Sequence, residues 1–157
     1  MSQKESKILK TKAINSLLLA VDHFNRLEDR GRNEAVLILL DHSFELLLKA
    51  GILRNGGKIR EKGKNETIGF ERAIRKALSE TNFLKPEQTL VLQTINSLRD
   101  AAQHHYVSLS EEQLYLHAQA GLTLFRDLLA VVFSEELRDY LPDRMLPIST
   151  VPVDRKS

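Results

Sequence analysis

The chain has 157 residues, with 23 lysines and arginines against 21 aspartates and glutamates and a formal charge of +2. That length fits one domain able to bury roughly two-thirds of its unfolded surface, so no staple is required. The absence of cysteine removes disulfides, thiol nucleophiles and cysteine metal sites and fits a reducing compartment, while so small a net charge does not announce a nucleic-acid binder.

The N-terminus, MSQKESKILK, is charged, and no run approaches the roughly 18 apolar residues that span a bilayer. The expectation is a soluble cytoplasmic protein with no membrane contact. From about Glu5 to Leu27, apolar positions Ile14, Leu17, Leu18, Val21 and Phe24 recur at three- and four-residue spacing, the pattern of an amphipathic helix; Gly31 ends it. A second helix is predicted over Asn33 to Leu53, with Asn33 as N-cap. Its AVLILL and FELLLKA runs are apolar nearly all round, which places it in the middle of a bundle.

Asp41, Glu45 and Lys49 stand at successive four-residue steps on that second helix, with His42 alongside. Such a stripe must face something polar. It reads either as an intrahelical charge ladder on the bundle surface or as a device that brings Glu45 to a polar centre elsewhere in the chain.

The next segment, RNGGKIREKGK, carries Arg54, Lys58, Arg60, Lys62 and Lys64 against Glu61, with three glycines that let a ligand approach the backbone. It forms a phosphate-friendly patch or simply a solvated loop, with a small hairpin expected around Lys58 to Thr67. GFERAIRKALSE gives a short third helix with Phe70, Ile74 and Leu78 at four-residue spacing. Pro86 then sits in the first turn of a fourth helix running through TLVLQTINSLRDAAQHH. Val91, Ile95, Leu98 and Ala102 make its core stripe and leave Arg99 and Gln103 beside it.

A fifth helix is predicted from Ser110, where SEEQ is a capping box, to about Tyr140. Its AVVF run, like the fourth helix, is a candidate dimer contact. The segment 141–157 holds three of the four prolines and reads as an extended tail or linker, so the domain is assigned to 1–140. There is no repeat and no strand alternation, which leaves an all-α bundle of four to five helices.

The chemistry concentrates in RDAAQHHY, Arg99 to Tyr106. Arginine is a permanent cation whose planar donor fork suits phosphate, and histidine exchanges protons near neutral pH. Arginine followed five to seven residues later by histidine is expected about once by chance in this composition, whereas the fuller pattern with Asp100 and Tyr106 has a chance on the order of one in a thousand. At 100° per residue, His104 lies about 140° around a helix from Arg99. The helix must therefore end or distort near His104, or two copies of the motif must meet across a twofold axis. No His-x-x-x-His or Glu-x-x-His pair offers a metal site, and no cofactor is expected.

RDAAQHHY resembles the motif of HEPN domains, small helical ribonuclease domains of prokaryotic toxin, abortive-infection and CRISPR-associated systems, in which an arginine and a polar residue precede a histidine. Arg99, Asp100 and His104 match. LILLDHSFELLLKAGIL, GGKI and TIGFERAI are similar to the DUF3644 branch of that superfamily, and the resemblance covers about residues 10–135. It implies a HEPN-like bundle and a metal-independent endoribonuclease acting on RNA as a homodimer. Arg99 would neutralise the scissile phosphate, His104 would act as general base or acid, and Asp100 would orient one of the two. His105 also satisfies the looser spacing. The spacing to Tyr106 is similar to HEPN toxins whose tyrosine is modified by a nucleotidyltransferase antitoxin, which makes an antitoxin or another defence-system protein a candidate partner. Glu45 is the expected support, and Lys58, Arg60, Lys62 and Lys64 are the expected RNA contacts. The alternative is a non-catalytic HEPN-like module that binds nucleic acid or nucleotide, or dimerises.

Overall fold

Residues 2–27, 30–104 and 109–141 are described by the computed structural model. Among them are five helices: α1 (Ser2–Phe24), α2 (Arg32–Arg54), α3 (Phe70–Arg75), α4 (Pro86–Gln103) and α5 (Glu111–Phe133). A π-helical turn, Lys76–Glu80, continues α3, and a 3-10 turn spans Leu137–Tyr140. The only extended pairing among the described residues is an isolated bridge between Arg60 and Thr67, so the expected hairpin is reduced to one rung.

The nearly all-round apolarity of α2 has the consequence expected of it: this helix packs against α1, α3, α4 and α5. Leu40, Phe44, Leu47, Leu48 and Ile52 are all buried along it, each contributing on the order of 2 kcal/mol through loss of water contact. α1 runs antiparallel to α2, and buried serines let the two backbones approach. Ser6 donates to the Ala50 carbonyl at 2.7 Å, and Ser16 donates to the Leu39 carbonyl at 2.7 Å. On the other side of α2, Phe44 meets Phe125 of α5 edge-on at 5.8 Å. Gly121 of α5 lies so close to α4 that a Cβ there would come within 3.0 Å of Ile95 Cδ1.

Several boundaries differ from expectation. α1 stops at Phe24 rather than Leu27; Leu27 is fully exposed, so another helical turn would bury nothing. The N-cap of α2 is Gly31, with φ 69°, rather than Asn33. A left-handed backbone favours glycine, and the Asn33 side chain instead donates to the Leu109 carbonyl at 2.9 Å. α5 ends at Phe133 rather than near Tyr140. Ser134 adopts φ 56°, and the chain folds back to bury Leu137 in the main core. The tail from 142 onward lies outside the described residues.

Among the described helices α5 alone is long and apolar enough, by length and mean composition, to cross a membrane, although Arg126 and Asp127 interrupt its apolar run. Its apolar side is occupied inside the bundle, where Leu114, Ala118, Leu122, Phe125 and Leu129 are buried. The predicted capping box is present at its start, with the Ser110 hydroxyl accepting from the Gln113 N–H at 3.1 Å and the Gln113 side chain accepting from the Ser110 N–H at 3.0 Å. Replacing Ser110 with alanine is expected to lower stability by about 1 kcal/mol, measured as a lower urea midpoint with an unchanged slope.

Candidate active site at the end of the fourth helix

The register of α4 turns Leu92 and Ile95 fully inward and packs Leu98 and Ala102 against Val36, Leu37 and Leu114 in a second apolar cluster. Arg99 falls beside this stripe, its side chain 30% exposed. The same cluster takes in Leu109, so the segment after the motif is anchored twice at the start of α2, by Leu109 in this cluster and by Asn33 bonded to its carbonyl. Helix α4 ends at Gln103, and His104 is its C-cap, with φ −96° and ψ 5°. The helix thus ends at His104, one of the two routes by which the separation of about 140° could be overcome, the other being a second copy of the motif across a twofold axis. The His104 N–H still donates to the Asp100 carbonyl at 3.2 Å, and its side chain is at the surface. His105 and Tyr106 lie outside the described residues.

Two carboxylates flank Arg99. Its Nη2 is 2.7 Å from Asp100 Oδ1, on a side chain 56% exposed, and its Nε is 3.5 Å from Oδ2 of Asp41, on a side chain 5% exposed. Asn96, one turn earlier on α4, donates to Asp41 Oδ1 at 3.1 Å. Burial pushes the Asp41 carboxyl above its ordinary range; Asn96 and Arg99 pull it back, and the neighbouring charges of Glu45 and Asp100 add to the push.

The acidic stripe of α2 thus divides. Asp41 is the member that reaches Arg99. Glu45, expected in that place, is bound by Lys49 at 2.7 Å, and buried Lys49 also donates to Thr67 at 2.8 Å, tying the basic loop to α2. Asp41 directly follows the apolar run AVLILL and is the more deeply buried of the two carboxylates. Arg32 was not singled out from sequence. It lies over the Phe24 ring at 5.7 Å and pairs with Glu111 at 2.8 Å, which joins the start of α2 to the start of α5.

The basic loop is less free than its composition implies. Arg60 makes a two-pronged pair with Glu5, at 3.0 and 2.7 Å, which holds the Glu5 carboxyl below its usual range. Lys64 and Arg72 both pair with Glu61, and Lys76 donates to the Lys58 carbonyl. Lys58 and Lys62 are exposed. Lys58 and Arg60 line one wall of an open groove of about 680 Å³ against the start of α1. No group of three metal-ligating side chains converges among the described residues.

A family model described as a domain of unknown function, DUF3644, matches residues 8–155. The chain belongs to the DUF3644 family. The match runs past the expected boundary at 140 and spans both the helical bundle and the segment after it. No curated protein and no solved structure matches this DUF3644 chain.

Proposed function

We propose that this DUF3644 protein is a metal-independent endoribonuclease of the HEPN type, working in the cytoplasm as part of a prokaryotic defence or toxin system. The observation that carries the reading is the setting of Arg99: a half-buried arginine held between two carboxylates, at the helix end where the motif histidine stands as C-cap. In this reading Arg99 binds the scissile phosphate and offsets the charge that grows on its oxygens. His104 removes the proton of the ribose 2′-hydroxyl as that oxygen attacks phosphorus. The bond to the 5′-oxygen breaks, and that oxygen takes up a proton, leaving a 2′,3′-cyclic phosphate and a 5′-hydroxyl. A homodimer brings two such motifs to one cleft, Lys58 and Lys62 attract the RNA backbone, and Tyr106 is the residue an antitoxin would modify.

Purified protein is expected to cut single-stranded RNA in the presence of EDTA and to leave cyclic-phosphate ends, detected as 3′ ends that resist phosphatase until the cyclic ester is opened and that ligate only after the resulting monophosphate is removed. RNA that is retained but left intact, with binding that falls steeply with salt and weakens on neutralising Lys58 and Lys62, would replace this reading with that of a binding module. A particle that stays monomeric at micromolar concentration while cutting RNA would remove the shared cleft and leave one protomer to supply the site.

A further inference from the structure

The contacts of Arg99 differ in kind on its two edges. Asp100, on the outer edge, is largely exposed; a phosphate arriving from solvent can take its place on Nη2, and the freed carboxylate would lose little because water receives it. Asp41, on the inner edge, is almost wholly buried and held by Asn96 from the far side, so it has nowhere else to turn. The Nε atom that faces it is itself buried and has no hydrogen-bond partner among the described residues. A small closure of the 3.5 Å gap supplies one, because an arginine Nε–H and a carboxylate make a strong charge-assisted bond.

We propose that Asp41 is the positioning residue of this site, fixing the guanidinium of Arg99 from its buried edge so that the Nη edge is presented to the phosphate. The proposal rests on the ribonuclease reading for its consequence and on the Asp41–Asn96–Arg99 geometry for its substance. It assigns the α2 stripe a role in catalysis through Asp41 and leaves Glu45 to Lys49. A buried carboxylate kept at a cost to stability is what a site that exchanges stability for orientation contains. Burial raises Asp41 above the ordinary carboxylate range, so its contribution to stability is greatest in acid. That contribution falls as pH rises through the raised value, because the folded chain retains a proton the unfolded chain has released.

The test is Asp41→Asn, which keeps shape and can still accept from Asn96. In single-turnover assays the cleavage step should slow by about 100-fold, the effect of a misplaced catalytic contact, with KM changed by less than about threefold. The unfolding midpoint at pH 7 should be no lower than the parent's, and any advantage of the variant should shrink as pH falls. A structural role for Asp41 would lower the midpoint instead. In an Arg99→Lys background, which keeps the charge but lacks the Nε–H, Asp41→Asn should have no further effect on rate. An arm independent of activity is the 15N-resolved Arg99 Nε–H resonance, assigned by its loss in Arg99→Lys. It should exchange slowly with water in the parent and rapidly in Asp41→Asn. Unchanged exchange, or unchanged cleavage in a parent that cuts RNA, overturns the proposal. A parent that does not cut RNA but shows the Asp41-dependent resonance sinks the ribonuclease reading and leaves the clamp standing.

Discussion

Arg99→Ala and His104→Ala are each expected to slow RNA cleavage by at least about 100-fold, and by as much as about 10,000-fold for the histidine, the range for a lost charge-stabilising donor and a lost general acid–base group. The two variants should separate in stability. His104 is an exposed C-cap, so its removal should shift the folding free energy by no more than about 0.5 kcal/mol. Arg99→Ala strips a counter-charge from buried Asp41. Breaking a fully buried pair costs about 3–5 kcal/mol, and because Arg99 is partly solvated and its Nε stands 3.5 Å from the carboxylate, about 1–2 kcal/mol is the expected loss. That is below the roughly 5–15 kcal/mol available to a domain, so both variants should remain folded in circular dichroism and urea titrations. If both cut RNA at the parental rate, the catalytic assignment fails. Loss of cleavage by an Arg99→Ala variant that keeps the parental circular dichroism spectrum keeps Arg99 in the reaction; loss that only tracks unfolding removes it.

The largest expected effect on stability is that of Phe125→Ala. The ring is wholly buried and meets Phe44 at 5.8 Å with planes 60° apart, joining α5 to α2. Removing a buried phenylalanine costs about 3–5 kcal/mol in transfer and cavity energy, a third or more of what such a domain has in reserve. The urea midpoint should fall accordingly with little change in slope. A loss below about 1 kcal/mol would show that α2 and α5 do not meet through these rings. Asp41 lies one turn before Phe44 on α2, so the variant should also loosen the Arg99 clamp even where the bundle stays folded.

Much of the architecture was legible because it depends on short-range chemistry. The three- and four-residue apolar spacing of α1, the proline that opens α4 and the Ser110–Gln113 capping box are read within a few residues, and each stands where expected. Boundaries set by distant partners were not. α5 stops at Phe133 because the chain turns to bury Leu137 and to place Glu135 beside Lys10, at 2.5 Å, and Tyr140, although SEELRDY has no breaker of its own. Asn33 fits a cap by type, yet its side chain serves the loop after α4, 76 positions away.

The candidate site divides along the same line. Its motif, with the need for either a helix end near His104 or a second copy across a twofold axis, was present in the spacing of Arg99, Asp100 and His104 alone, since helical geometry converts sequence separation into angle. The partner of Arg99 was not, because Asp41 and Glu45 occupy the same face of one helix and only the crossing of α2 over α4 selects between them. The charge of the basic loop was misleading for the same reason: its composition lists five cations, but the structure brings Glu5 across from α1 to pair with Arg60. By itself the sequence determined an all-α fold and the residues able to do chemistry, because periodicity and side-chain type are local properties. Only the tertiary structure decided which carboxylate meets which cation, because contact between residues dozens of positions apart depends on how the helices pack.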